Sequence, residues 1–573
     1  MKKSLFILTF FLFAGWAVQS QSFQNFMSKS QVHGSFQFDG RYYMPDSALG
    51  ITEKDIDGKN FAFNGFANIT YTLGNFSAGL RYEAYLPPLL GYDVRLEGQG
   101  LPYLWAMYNH EKFSITVGNF YEQFGNGLTF RTYEEWQLGY DNSVNGARVT
   151  YEPIKGILLK AIYGTQRFFW INWESNGRGI VKGIDGEFDF NQMVNGMHGS
   201  NFRLILGASA VSKYQIATSK FYKEPENVSN IGGRMMIGYK GLSLNAEYAW
   251  KVNDPSAVNK YIYKDGEALF VSFSYSRKGF GFSGMFKRYD NMSYKSDRNV
   301  TANALDINFL PPNTEIHTYM LTGMYPYATQ PNGEIGFQLQ INYTIPKKSK
   351  LGGKYGIGIM VNYSQANNIK RNPVNDTTPV GNLWWEKRTL GWKSPFFEFS
   401  DPVFWQDFSI EIDKKFNKKF SAIFHYMYQT FDIAVLQGHD GWPTIYSNIG
   451  VVDMTYKFNR NHALRWELQG MWNEGKQDSL NLDQENLGNW AAALIEYTVS
   501  PHWSISVWDQ WNYGNPDEAL RLHYYNFQFA YTRKATRIAL AYGRQRDGVI
   551  CVGGVCNYVP KSNGFRVTIT SNF

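Results

Sequence analysis

The stretch Gly564-Phe565-Arg566-Val567-Thr568-Ile569-Thr570-Ser571-Asn572-Phe573 ends the chain and alternates between two kinds of residue. Phe565, Val567, Ile569 and Phe573 fall on one side of a period-two ladder, interrupted at Ser571, and Arg566, Thr568 and Thr570 fall on the other. Successive side chains of a strand point to opposite faces, so one face here is apolar, the other is polar, and the segment stops on an aromatic ring. That is the form of the closing strand of an outer-membrane β-barrel, in which the last aromatic is the signal read by the barrel-assembly machinery. The competing reading is an ordinary final strand of a soluble sheet.

The opposite end of the chain bears on that choice. Met1-Lys2-Lys3 is basic, Leu5 to Val18 is almost wholly apolar, and Val18-Gln19-Ser20 supplies small residues. This is the pattern of a secretory signal peptide over residues 1–20, with cleavage between Ser20 and Gln21 and a single barrel domain over 21–573. No later segment has the roughly 18 successive apolar residues that a membrane helix needs. Aromatics nevertheless make up 17% of the 573 residues, which suits a barrel with aromatic girdles at both rims and a polar lumen. The formal charge of +7 is mild, and export argues against nucleic acid as a partner. The partners expected are outer-membrane lipid, lipopolysaccharide, the assembly machinery and other outer-membrane proteins.

The alternation seen at the C-terminus recurs along the chain. Ile335, Phe337, Leu339, Ile341 and Tyr343 alternate with Gly336, Gln338, Gln340 and Asn342. Phe76, Ala78, Leu80 and Tyr82 do the same around Ser77, Gly79 and Arg81. Short connections such as Leu73-Gly74-Asn75, Lys240-Gly241 and Arg533-Lys534 alternate with long polar ones near 45–59, 86–100, 122–144, 290–331, 365–402 and 473–485. Short turns at one rim and long loops at the other are the asymmetry of a transmembrane barrel. Pairing the segments predicts an all-β fold, one antiparallel barrel of about 24 strands within a range of roughly 18 to 26. The pair 178–190 and 201–213 is joined by a longer turn than its peers. The first alternating segment begins at Gly34, which leaves no room for a preceding plug domain and argues against TonB-type uptake.

The side chains assigned to the inner face carry both signs: Arg81, Glu83, Arg148, Lys160, Arg234, Glu411, Arg465, Glu467, Glu496 and Arg566. They could line water or form structural pairs, and the sequence leaves both open. The long loops 290–331 and 365–402 hold Tyr325, Tyr327, Trp384, Trp385 and Trp392. Large aromatics seldom stay solvated, so these loops either pack into the barrel as a constriction or dock a partner protein.

Cys551 and Cys556 are the chain's two cysteines, in an exported protein, with Gly553-Gly554 between them. A disulfide closing the last external loop is the direct reading. The glycines of Gly118 to Gly127 lack the Lys-Ser/Thr of a phosphate cradle and read as a strand bending inward to start a loop. Glu134 and Glu135 are adjacent, point oppositely on an extended chain and make a poor acid–base pair. The nine histidines are scattered, with no nucleophile triad and no paired metal-ligand spacing. Neither a catalytic activity nor a cofactor or metal is expected.

The block Gly118-Asn119-Phe120-Tyr121-Glu122-Gln123-Phe124-Gly125, the run Asp141-Asn142-Ser143, and the ending Tyr542-Gly543-Arg544-Gln545-Arg546 through Cys551-Val552-Gly553-Gly554-Val555-Cys556 to Val559-Pro560 resemble an uncharacterised outer-membrane β-barrel family of Bacteroidota. The resemblance implies fold and outer-membrane location, and no activity. The function expected from the residues is a porin-like passive channel for small polar solutes. The alternative is a closed barrel serving as a subunit of an outer-membrane assembly, secretion or surface-protein complex. A barrel enzyme of the protease or lipase type comes third, without a visible nucleophile.

Overall fold

The computed structural model describes residues 30–573 except 57, 59, 171–178, 221, 375–390, 439–440, 475–486 and 553–554. The signal-peptide region 1–20, Trp384 and Trp385 therefore lie outside the described residues. No helix among the described residues is long and apolar enough to cross a membrane.

Twenty-four strands form one antiparallel sheet. In chain order they are β1 (Ser30–Tyr43), β2 (Phe61–Leu73), β3 (Phe76–Tyr85), β4 (Gly98–Asn109), β5 (Phe113–Phe120) and β6 (Val144–Tyr151). Next come β7 (Ile157–Gln166), β8 (Ile180–Asp189), β9 (Phe202–Tyr214), β10 (Asn227–Tyr239), β11 (Leu242–Lys251) and β12 (Gly266–Arg277). They continue as β13 (Phe280–Asp290), β14 (Glu334–Ile345), β15 (Ile357–Ile369), β16 (Phe399–Lys415), β17 (Phe420–Asp432) and β18 (Thr444–Lys457). The last six are β19 (His462–Glu474), β20 (Trp490–Val499), β21 (Trp503–Trp511), β22 (Asn526–Arg533), β23 (Thr536–Gln545) and β24 (Ser562–Asn572).

Each strand pairs with its neighbours in sequence, and β24 returns to β1 in a register running from Ser35↔Asn572 to Tyr43↔Gly564. Closure removes the free edges that an open sheet would expose. The pair with the longer turn between its strands is present as β8 and β9, joined by one helical turn at Phe190–Met193 and a 3-10 turn at Asn195–Met197.

The connections alternate as expected. Two-residue turns join β2 to β3, β10 to β11, β12 to β13 and β22 to β23 at one rim. Gly74, Lys240, Gly279 and Lys534 take the left-handed φ that such tight hairpins require. The long connections gather at the opposite rim.

The period-two pattern sorts the two faces. Outward side chains form an exposed apolar band that includes Ile69, Leu104, Val117, Ile184, Ile231, Leu339, Phe424, Leu468, Ile495 and Leu540. Exposed aromatics flank it: Tyr108, Tyr151, Tyr239, Tyr343, Phe458 and Trp503 toward the short turns, and Tyr42, Phe61, Tyr163, Trp250, Trp472 and Phe565 toward the long loops. The buried apolar clusters lie where the long connections meet the inner wall of the barrel.

Candidate functional site

Two long connections, 121–143 and 291–333, fold inward and pack against the barrel wall toward the long-loop rim. Connection 121–143 leaves β5 at Phe120 and doubles back through a two-residue ladder, Gln123–Phe124 against Phe130–Arg131. Phe124 and Phe130 are fully buried together with Val144, Ile162, Val181, Val211 and Val228, one inward residue from each of β6 to β10. Tyr294 and Ile307 of connection 291–333 complete that cluster.

Further along the same connection, Leu321, Met324, Tyr325 and Tyr327 pack on Trp405, Met427, Phe431, Ile449, Met471 and Trp490, which come from β16 to β20. Tyr325 and Tyr327 are thus buried inside the barrel wall. Trp392 is buried as well, with Ile262, Ile335 and Ile369. Apolar side chains that would be unfavourable in water are covered by the inner face of the strands.

The wall also supplies polar anchors that the sequence did not single out. Lys213 of β9, Lys251 of β11 and Lys287 of β13 are each fully buried and point inward. The Lys213 ammonium donates to the carbonyl of Lys295 at 2.8 Å and to Asp254 at 2.6 Å. Lys251 donates to the carbonyl of Ser293 at 2.7 Å, and Lys287 donates to the Tyr327 hydroxyl at 2.6 Å. Lys287 is also ion-paired with Glu334, which is equally buried. A buried ammonium is retained only where protein acceptors replace its water. Three alternate strands therefore hold the backbone or a side chain of one internal segment. The legible signal was an inward-parity lysine at the long-loop end of each strand.

Most of the charges named from the sequence for the inner face are paired. Arg81 contacts Glu83 at 2.7 Å and also pairs with Glu134 and Asp141 of the internal connection. Arg167 bridges Glu83 at 2.7 Å and Asp141 at 2.6 Å. Burial works against the charge on Asp141, but the Arg167 and Arg81 guanidiniums outweigh it and hold its pKa below the ordinary aspartate value. Glu134, a poor partner for Glu135 in catalysis, is thus one end of a structural ion pair.

Arg148 and Lys160 both reach Glu122, at 3.4 and 2.9 Å. Arg234 pairs with Asp185 at 2.6 Å and Glu187 at 3.3 Å. Arg465 joins Asp453 at 3.0 Å and Glu467, and it stands opposite Glu496 in the β19–β20 register. Glu411 lies 3.7 Å from His425. Arg566 stands opposite Arg41 in the β1–β24 register. The inner wall is accordingly a mosaic of opposite charges rather than a field of one sign.

The cysteines sit on a separate hairpin, residues 548–552 against 555–559, whose register sets Cys551 directly opposite Cys556. The side chain of Cys551 lies outside the described residues.

Three solved structures show a distant likeness to the chain. The siderophore receptor PirA from Pseudomonas aeruginosa has 9% identity and a TM-score of 0.41, over 95% of this chain and 80% of that one. The translocation pore of the P pilus usher PapC has 9% identity and a TM-score of 0.42, over 94% and 99%. OccK3 (OpdO) from Pseudomonas aeruginosa has 10% identity and a TM-score of 0.34, over 80% and 100%. Likeness at these scores carries nothing about function. No curated protein matches the chain in sequence. The sequence does match one family throughout, over residues 1–573, and the chain belongs to it: DUF6029, described as a family of unknown function.

Proposed function

We propose that the protein is an outer-membrane β-barrel of a Gram-negative bacterium and acts as a porin-like passive channel for small polar solutes, narrowed at its long-loop end by connections 121–143 and 291–333. The membrane part of this reading rests on the exposed apolar band. Ile184 is 64% exposed and Ile495 57%, with comparable residues on strand after strand between two aromatic girdles. A continuous apolar belt of that kind would drive association in water and is stable in lipid. The long loops would face outward from the cell, the signal peptide would be removed, and the assembly machinery would insert the chain. A Bacteroidota origin fits the resemblance of the Gly118–Gly125 block and the cysteine loop.

The observation that carries the channel part is the contrast along the lumen. Toward the short turns the inward charges stay open to water: the side chains of Arg203, Glu187, Arg465 and Glu411 are roughly one-third to one-half exposed. Paired charges of both signs suit polar solutes without strong preference for anions or cations. No catalytic activity is proposed.

Purified protein in planar bilayers is expected to give small, stable conductance steps. A folded preparation that stays silent at every voltage would overturn the channel reading. It would favour the second one, a closed barrel that is a subunit of an outer-membrane complex, which the buried Lys213 and Lys287 ammoniums support because they fasten the internal segment in place through the Lys295 carbonyl and the Tyr327 hydroxyl. Recovery from native membranes with partner proteins would then be the matching result.

Across the last hairpin we infer a Cys551–Cys556 disulfide, because the backbone register brings the two residues opposite one another.

A further inference from the structure

Connection 291–333 brings a histidine and a carboxylate to the wall of β16 in a way that hydrophobic packing does not explain. His317 Nε2 lies 2.7 Å from Asp407 Oδ2, and Glu315 Oε2 accepts from the Ser409 hydroxyl at 3.0 Å. One ligand atom from each of Glu315, His317 and Asp407 lies within 4.8 Å of the other two. Asp407 is fully buried, and its second oxygen, Oδ1, has no hydrogen-bond partner.

A second observation comes from the neighbouring strand. His425 of β17 is 5% exposed, and its ring centroid is 6.2 Å from that of His317. Neither ring nitrogen makes a hydrogen bond; Nδ1 has Glu411 at 3.7 Å, beyond hydrogen-bond range. A buried imidazole with both nitrogens unsatisfied is costly unless something else engages it.

We infer that Glu315, His317 and Asp407 bind one divalent transition-metal ion between the internal segment and β16, beside the unsatisfied imidazole of His425. Two carboxylates balance the charge of a dication. Imidazole nitrogen beside carboxylate oxygen selects borderline ions such as Zn²⁺, Fe²⁺ or Mn²⁺ over Ca²⁺ and Mg²⁺, which take oxygen ligands. When the metal binds, the Nε2 proton between His317 and Asp407 is released to solvent, and both atoms turn to the ion. The ion would cross-brace segment 313–327 to the wall, whether or not the lumen conducts.

The test uses full-length protein in detergent without a polyhistidine tag, stripped of metal and titrated with Co²⁺. One equivalent should bind with visible ligand-field bands, and Zn²⁺ should displace it. His317→Gln and Asp407→Asn should each weaken binding by roughly a hundredfold or more, since even outer-shell partners are worth ten- to a hundredfold. His502→Gln, on an exposed turn, should leave binding unchanged. The inference is overturned if wild-type protein takes up no Co²⁺, or if His317→Gln binds it equally well. Should the variants not fold, X-ray absorption of the wild-type Co²⁺ complex decides: imidazole and carboxylate ligands at about 2.0–2.2 Å support the site, and a shell without imidazole overturns it.

Discussion

The ring of Phe573 lies directly over the Cα of Gly34. The two residues exchange backbone hydrogen bonds, Gly34 N to Phe573 O at 2.8 Å and Phe573 N to Gly34 O at 2.9 Å. A Cβ added at Gly34 would stand 2.3 Å from the Cζ of the ring. The last residue of the chain therefore completes the seam between β24 and β1, with its ring on the outward face over a position that has no side chain to obstruct it.

Removing Phe573, or replacing it with Asp, is expected to block membrane insertion far more than it weakens the finished barrel. Phe573 as a residue is 72% exposed, and even full burial of such a side chain is worth only about 1.5–3 kcal/mol, small against the pairings of a closed sheet. Before closure every strand edge carries unpaired backbone groups, so a chain that misses insertion aggregates or is degraded. The measurement compares the amount in membranes of cells with refolding of purified variant into detergent. Equal losses in both would show an ordinary stability role.

Lys287→Met should destabilise the protein by about 3–5 kcal/mol, because it leaves the buried Glu334 carboxylate without its cation. Adding Glu334→Leu should recover most of that loss, since an apolar pair of similar volume removes both desolvation costs. Thermal unfolding of the two variants beside wild type checks the sign of the coupling. A double variant as unstable as the single one would mean that the Lys287 bond to Tyr327 matters more than the ion pair.

Acid should loosen connection 121–143. The folded-state pKa of Asp141 is held below its ordinary value of 3.8, so its stabilising effect is complete above that value and is lost as pH falls through the lower, folded one. Protonation removes the partner of both Arg81 and Arg167. Pepsin cleavage within 121–143 should therefore rise steeply as pH drops below 3.8. Asp141→Asn should make the segment susceptible already at neutral pH, with a much flatter acid response.

Replacing Cys551 and Cys556 together with alanine should leave the barrel inserted and cost at most about 2 kcal/mol, because a ring this small restricts few conformations of the unfolded chain. Intact mass before and after reduction reports the bond itself: a gain of two hydrogens is expected. No mass change would remove the disulfide.

The architecture was legible because it depends on a local property. Phe565, Val567 and Ile569 alternate with Arg566 and Thr568 whatever lies elsewhere in the chain, and a strand converts that period directly into an outer and an inner face. The same parity put Arg81, Glu83, Arg465 and Glu467 on the wall, and tight turns such as Leu73-Gly74-Asn75 marked one rim. Parity says which way a side chain points, and stops there. Whether Arg81 would meet water or Asp141, which lies sixty residues on, depended on connection 121–143 turning inward, a choice made by Phe124 and Phe130 finding apolar residues from five strands. The meeting of His317 with Asp407, ninety residues apart, needed the curvature of the closed sheet to bring β16 beneath segment 313–327. Strand faces follow from nearest-neighbour geometry, whereas the contents of the lumen follow from closure, which exists only once all twenty-four strands have paired.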